Sequence, residues 1–314
     1  MQEEVLRVLF MGTSPFAVPS LKILLKTGKN IVGVFTQPDR PQGRGLKIRI
    51  SLIKELALKK RLSLFQPEKI NRDESVEIIR SLSPDLIVVV AFGQIISQRI
   101  LDIPRFSSIN VHASLLPKYR GAAPINRAII QGEKETGITT MIMDKGLDTG
   151  NILLQRKVVI LPDENAGELH DRLAFLGAEV LKETLEKLVK GGLTPYKQEE
   201  SEASYAPPLK KEEGLIDWKK PAETIYNHIR GMNPWPGAFT YLEGKILKVF
   251  YAKHVISETL CEPGKVVKTS DEGIVVSTVE GHVLLTEIQL ENHRRMSAAL
   301  FLRGHPLPLD TRLG

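Results

Sequence analysis

The 314-residue sequence predicts an α/β protein: a doubly wound, mostly parallel sheet followed by a smaller β-barrel domain. Three observations carry that expectation. Residues 86–92 (LIVVVAF) are continuously apolar, the pattern of a strand buried on both faces of a parallel sheet. Strand-like and helix-like stretches alternate through residues 5–190. Beyond a proline- and charge-rich stretch at 193–211, short strand-like segments recur between turn residues.

The elements follow in order. Residues 5–11 (VLRVLFM) are apolar and β-branched enough for a buried strand, and Gly12-Thr13-Ser14-Pro15 breaks it. Residues 16–26 then place Val18, Leu21, Leu24 and Leu25 on one helical face, with Pro15 tolerated near the first turn. Residues 31–36 and 62–65 read as strands and 51–60 and 74–82 as helices. After the central run, 108–111 is the next strand, 123–131 a helix, and 136–143 and 152–160 two more strands. Residues 166–190 form a long amphipathic helix striped by Leu169, Leu173, Leu176, Val180, Leu185 and Leu188, stopped by Gly191-Gly192. In the last part, 222–232 is helical, and strands are expected at 239–255, 264–269, 273–278 and 283–290. Glu243-Gly244, Asp271-Glu272-Gly273 and Glu280-Gly281 are their turn residues. The expected division is a domain at 1–192, a linker at 193–208 and a domain at 209–314.

Composition excludes several classes. The one cysteine, Cys261, allows no internal disulfide and no thiolate cluster, and the seven scattered histidines form no HExxH-type pair, so no metal is expected. No apolar run is long enough to span a bilayer, and the N-terminus carries two Glu where a signal peptide would be basic, so a cytoplasmic protein with no membrane partner is expected. Net charge is +6, which permits a polyanionic partner. Residues 206–314 hold 14 Lys+Arg against 13 Asp+Glu, so any nucleic-acid surface there must be a local patch.

The stretch 109–121, INVHASLLPKYRG, carries the chemistry. Asn110 and His112 are two residues apart on a strand, so their side chains leave the same face. They sit at the carboxyl end of an expected parallel strand, where open α/β sheets bind ligands. The alternative is a capping histidine and an amide that satisfies neighbouring backbone. The loop 143–150 (MDKGLDTG) supplies Asp144 and Asp148. Asx turns explain Asp144 well, whereas Asp148 is placed to turn inward. An amide and an imidazole can stabilise an oxyanion while a carboxylate handles a proton. That equipment suits acyl transfer without a covalent nucleophile, since no GxSxG elbow surrounds Ser114.

Residues 37–50 (QPDRPQGRGLKIRI) form a long loop in which Arg40, Arg44, Lys47 and Arg49 face only Asp39, with Gly43 and Gly45 to bend it. It reads either as a solvated connection or as an arm that meets phosphates. Gly12-Thr13-Ser14-Pro15 lacks GxGxxG spacing and reads as a plain turn, which disfavours a dehydrogenase. Residues 233–239 (NPWPGAF) read as a structural corner that presents or buries Trp235, with base stacking as the alternative.

These residues bring the sequence close to a known family. FMGTSPFAVPSL at 10–21, TQPDRPQGRG at 36–45, NVHASLLPKYRGAAPINRAI at 110–129, MDKGLDTGNIL at 143–153 and NPWPGAFTYL at 233–242 resemble the methionyl-tRNA formyltransferase family along essentially the whole chain. The resemblance implies a Rossmann-like N-terminal domain and a C-terminal barrel similar to an OB-fold. It implies formyl transfer from 10-formyltetrahydrofolate, as donor substrate, to the α-amino group of methionyl initiator tRNA. It implies Asn110, His112 and Asp148 as the catalytic trio. It places the pterin against backbone near Val89, Val90, Phe92 and Gly93 and the loop from Asp144 to Asp148, in a pocket shaped by Ser114, Leu115, Leu116 and Pro117. It assigns the loop carrying Arg40, Arg44, Lys47 and Arg49 to the tRNA acceptor end, in a protein expected to be a monomer. Two other readings stand beside it: a folate enzyme with a small amine or water as acceptor, and a non-catalytic tRNA-binding protein.

Overall fold

The computed structural model describes residues 6–42, 47–255 and 262–314. Cys261 and Arg44 lie outside them. The chain divides into two compact units, and both are discontinuous in sequence: 1–121, 137–158 and 170–205 form the first, and 122–136, 159–169 and 206–314 the second.

The first unit is built on a seven-stranded sheet. Its order is Ile152–Val159, Glu135–Ile142, Ser107–His112, Leu86–Val90, Arg7–Gly12, Asn30–Phe35, Leu64–Phe65. Pairing is parallel from Ser107–His112 through to Leu64–Phe65, and Glu135–Ile142 runs antiparallel to Ser107–His112. The sheet is therefore mixed with a parallel majority, as the alternating pattern predicts. All five residues of Leu86–Val90 are buried, which explains their uninterrupted apolarity. Helices Val18–Lys26, Leu52–Lys59 and Asp73–Ser81 follow the first strands closely to the expected ranges. Ser51 caps Leu52–Lys59 by accepting the Lys54 N–H. Leu9, Met11, Phe35, Ile79, Ile87 and Phe92 share one core cluster.

One expectation needs correction. Residues 37–50 do not form a featureless loop: Arg40–Gln42 pairs antiparallel with Lys47–Arg49. The Gly and cationic residues masked this because their pattern lacks strand alternation. As the Glu243-Gly244 turn predicts, residues 239–255 are a hairpin, Ala238–Leu242 and Lys245–Val255, with Glu243 and Gly244 both at positive φ. Within residues 193–211 the chain forms a 3-10 turn at Glu200–Glu202 and a short strand at Tyr205–Ala206.

The second unit centres on an antiparallel sheet in the order Ala238–Leu242, Lys245–Val255, His282–Leu290, Gly273–Ser277, Val266–Ser270. The last residues join its two edges: Leu313 bridges to Leu242 and Arg312 to Lys265, so the sheet closes. Within this unit, helix Pro124–Ile130 packs on helix Ala222–Met232, where a side chain at Gly231 would meet Ile130 at 2.5 Å. Asn126 donates to the Gly231 carbonyl at 2.8 Å, and Asn165 donates to the Tyr251 hydroxyl at 3.2 Å. These contacts explain why 122–136 and 159–169 belong here, although they fall inside the first half of the sequence. Trp235 is 55% exposed on a corner held by Asn233 Nδ2 to the Phe250 carbonyl and Gly237 N–H to the Met232 carbonyl. Among the described residues, no helix is long and apolar enough to cross a membrane.

Candidate active site

The strand Ser107–His112 lies between Leu86–Val90 and Glu135–Ile142, and Asn110 and His112 end it on one face. The loop after Glu135–Ile142 brings Asp148 to them. Asn110 Nδ2 donates to Asp148 Oδ1 at 3.2 Å, and His112 Nδ1 lies 3.5 Å from Asp148 Oδ2. The side chains of His112 and Asp148 are 7% and 12% exposed. The backbone N–H of Gly121 donates to Asp148 Oδ2 at 2.8 Å. On its other edge, His112 Nε2 meets the Tyr119 carbonyl at 2.9 Å. A carbonyl only accepts, so Nε2 carries the hydrogen in that contact.

The loop that presents Asp148 is tightly bent. Asp148 has φ of +54°, and a side chain at Gly150 would stand 1.7 Å from the Ile142 carbonyl oxygen. Asp144 braces the same loop by accepting from the Gly146 N–H at 2.9 Å and the Thr149 hydroxyl at 2.7 Å. Leu147, between these carboxylates, is exposed.

The Ser114–Pro117 loop is also fixed from within. Ser114 Oγ donates to the Lys118 carbonyl at 2.6 Å, and Thr139 Oγ1 donates to the Ser114 carbonyl at 2.7 Å. Gln155 Nε2 donates to the Leu116 carbonyl at 2.7 Å. Ser114 and Val90 have no exposed surface and Leu116, Val89 and Phe92 almost none, whereas Leu115 and Pro117 are half-buried. After Leu86–Val90, the Ala91 carbonyl accepts from the Thr13 and Ser14 N–H groups, and the Phe92 carbonyl accepts from Thr13 Oγ1 at 2.9 Å. Gly93 follows at φ of +86°.

Behind the trio lies a cluster that the sequence reading missed. Arg120, 8% exposed, donates through Nε to Gln198 Oε1 at 3.0 Å and grips Glu200 with its two terminal nitrogens at 2.9 and 2.8 Å. That bidentate contact pushes the Arg120 guanidinium further up, with Asp144 and Asp148 adding to it, and holds the Glu200 carboxyl below its ordinary value. Gln198 Nε2 donates to the carbonyls of Asp148 and Gly150, both at 2.8 Å. No local signal marks Gln198, because a glutamine in a charged, proline-flanked stretch looks like linker.

The arm at 37–50 is held at its root. Asp39 pairs with Lys54 and accepts from Gln66 Nε2 at 3.0 Å, and the Lys54 hydrogen bond holds its carboxyl below the usual carboxylate range. Gln37 N–H donates to Thr13 Oγ1 at 3.1 Å, and its side chain donates to the Phe92 carbonyl at 3.3 Å. Arg40 forms an open pair with Glu68 at 3.3 Å, with side chains 62% and 67% exposed. Backbone pairing places Arg49 opposite Arg40 and Lys47 opposite Gln42.

Residues 6–185 match the formyl transferase family, and residues 208–306 match the formyl transferase C-terminal domain. The chain belongs to the formyl transferase family. Within it, a methionyl-tRNA formyltransferase of Geobacter sulfurreducens is 52% identical over 309 residues, covering 98% of this chain and 97% of that protein. A methionyl-tRNA formyltransferase of Caldanaerobacter subterraneus subsp. tengcongensis is likewise 52% identical, covering 98% and 100%. The formyl transferase fold recurs in an N-formyltransferase from Helicobacter canadensis solved with folinic acid and dTDP-3-aminofucose. That structure has a TM-score of 0.66 and 20% identity, and covers 91% of this chain and all of that one.

Proposed function

We propose that this chain transfers the formyl group of 10-formyltetrahydrofolate to the α-amino group of methionyl initiator tRNA, giving formylmethionyl-tRNA for translation initiation. The observation that carries the reading is the meeting of Asn110, His112 and Asp148 at the end of one strand, in a chain 52% identical to methionyl-tRNA formyltransferases over nearly its whole length.

The donor supplies the formyl carbon, and a neutral methionyl amine attacks it. A new C–N bond forms, the bond from that carbon to the folate nitrogen breaks, and the amine proton ends on the departing nitrogen. Asn110 needs one amide hydrogen for Asp148 and has a second for the negative charge that develops on the formyl oxygen. His112 lies beside it on the same face and joins in that stabilisation once its Nε2–H turns from the Tyr119 carbonyl to the formyl oxygen. Asp148 stands next to both, placed to take the amine proton, directly or through a water, and pass it on. Exposed Leu147 and half-buried Leu115 and Pro117 offer the apolar surface a pterin needs, and backbone near Val89, Val90, Phe92, Gly93 and Asp144 its polar partners.

The segment 37–50, with Arg40, Arg44, Lys47 and Arg49, is the arm that meets the tRNA phosphates. We read residues 1–192 as the catalytic domain and 209–314 as the domain that shares tRNA binding, joined through 193–208, in a monomer working in the cytoplasm. The test is to incubate the protein with 10-formyltetrahydrofolate and methionyl initiator tRNA, with methionyl elongator tRNA alongside, and measure formylmethionine. Formylation of the initiator alone is expected. Formylation of neither, with folate still bound, would move the assignment to a small amine acceptor.

A further inference from the structure

We infer that Gln198, backed by Arg120 and Glu200, is a positioning residue that sets Asp148 for formyl transfer. The inference rests on the trio as read above.

The carboxylate of Asp148 is held by Asn110 Nδ2 and the Gly121 N–H, but those contacts do not fix the backbone that carries it. Gln198 does. Its amide nitrogen has two hydrogens, and they go to the carbonyls on either side of Thr149, those of Asp148 and Gly150. Its oxygen accepts from Arg120 Nε. The amide cannot be flipped, since that would set an oxygen against two carbonyls and an NH₂ against a guanidinium. Gln198 and Arg120 are only 9% and 8% exposed, and buried polar groups of this kind are costly unless every one is partnered. Glu200 completes the set by taking both terminal nitrogens of Arg120. A side chain at Gly150 would meet the Ile142 carbonyl oxygen at 1.7 Å, so the loop is held there as well as by Gln198.

A purely structural role, pinning the segment around residue 198, has other supports. Tyr196 and Ile152 exchange both backbone hydrogen bonds, at 2.8 and 3.1 Å. Farther on, the Ser204 carbonyl accepts from the Arg120 N–H and the Ser204 hydroxyl from the Tyr119 N–H, both at 2.9 Å. The segment therefore stays attached without the Gln198 side chain, and its loss falls on Asp148.

The experiment uses the full chain with Gln198→Met, which keeps length and volume and removes every hydrogen bond, beside Asp148→Asn, the double variant and a control. The control is Glu199→Ala, whose carboxylate only caps its own turn through the Ser201 N–H and hydroxyl. Displacing a reacting group by an ångström can cost about 100-fold. Gln198→Met is expected to lose roughly tenfold to 100-fold in kcat, with KM for both substrates within about twofold, and to unfold at a lower midpoint than the parent while remaining folded, since Arg120 Nε and two carbonyls lose their partner. Glu199→Ala is expected to match the parent. On the Asp148→Asn background, Gln198→Met should lose nothing further, because the group it positions is gone. A folded Gln198→Met with parental kcat, or losses that multiply in the double variant, would overturn the inference and leave the trio standing. Parental kcat in Asp148→Asn would remove the trio reading and the inference together.

Discussion

Two loops rise from the same sheet and are held in opposite ways. The loop around Asp148 is bonded at several points: Asn110 and Gly121 on its carboxylate, Gln198 on its backbone, Asp144 across its own turn. The hairpin from Arg40 to Arg49 is bonded at its base through Asp39, Lys54, Gln66 and Gln37, and Arg40, also at its base, makes an exposed pair with Glu68. Chemistry at a formyl carbon gains from groups already in place, because reorganisation during the reaction adds to the barrier. Binding a polyanion asks less of fixed geometry, since phosphate contacts depend more on charge. The difference predicts that damage to the first loop appears in kcat and damage to the second in KM for tRNA.

The sharpest break is Asn110→Ala. Loss of one oxyanion donor costs about 10²–10³ in rate, so kcat should fall by that factor while the thermal midpoint stays close to the parent. Near-normal turnover would show that the amide is structural.

Gly150→Ala attacks the same loop by steric means. Its new carbon has no room against the Ile142 carbonyl, which is backbone and cannot swing aside. Destabilisation of about 1–3 kcal/mol, with a fall in turnover, is expected from such overpacking. Denaturant unfolding together with kcat checks it, and a variant as stable and active as the parent would mean the loop is softer than its bonding implies.

On the hairpin side, Arg44→Ala and Asp39→Ala should raise KM for methionyl initiator tRNA severalfold and leave folate dependence unchanged. Arg44→Ala should also flatten the salt dependence of tRNA binding by roughly one phosphate contact. Altered folate binding with parental tRNA dependence would reverse the assignment of the two loops.

The smallest effect lies outside both loops. His228, on helix Ala222–Met232, is pushed below its ordinary 6.5 chiefly by burial, with a contact to the Gly214 backbone opposing, and its Nε2 has no hydrogen-bond partner among the described residues. The neighbouring charges are Glu213, which favours its protonation, and Arg127, which disfavours it. Below 6.5 the unfolded chain takes up a proton that the folded chain resists, so stability is full above that pH and declines as pH falls beneath it. Thermal scans between pH 7.5 and 5.5 should show a modest loss that His228→Asn reduces. An equal loss in both would place the acid sensitivity elsewhere.

Much of this was legible in one dimension. Apolar periodicity located Leu86–Val90, Val18–Lys26, Ala166–Val189 and Ala222–Met232 closely, because burial of one face is written in local spacing. Alternation put Asn110 and His112 on one side of a strand, and glycine spacing marked the bent loop that brings Asp148 to them. The hairpin at 40–49 escaped because cations, glycines and a proline give no alternating signal.

The sequence by itself therefore determined the class of fold and the order of most of its elements, and it singled out Asn110, His112 and Asp148 as candidates, all matters of residue type, motif and short-range spacing. Only the tertiary structure decided that residues 122–136 and 159–169 belong to the second unit, that the last residues close its sheet, and that Gln198 locks a loop 50 positions away. Those outcomes depend on polar groups meeting across long stretches of chain. A glutamine carries the same donors and acceptor whether it faces water or two buried carbonyls, so nothing in its neighbours along the chain distinguishes the two.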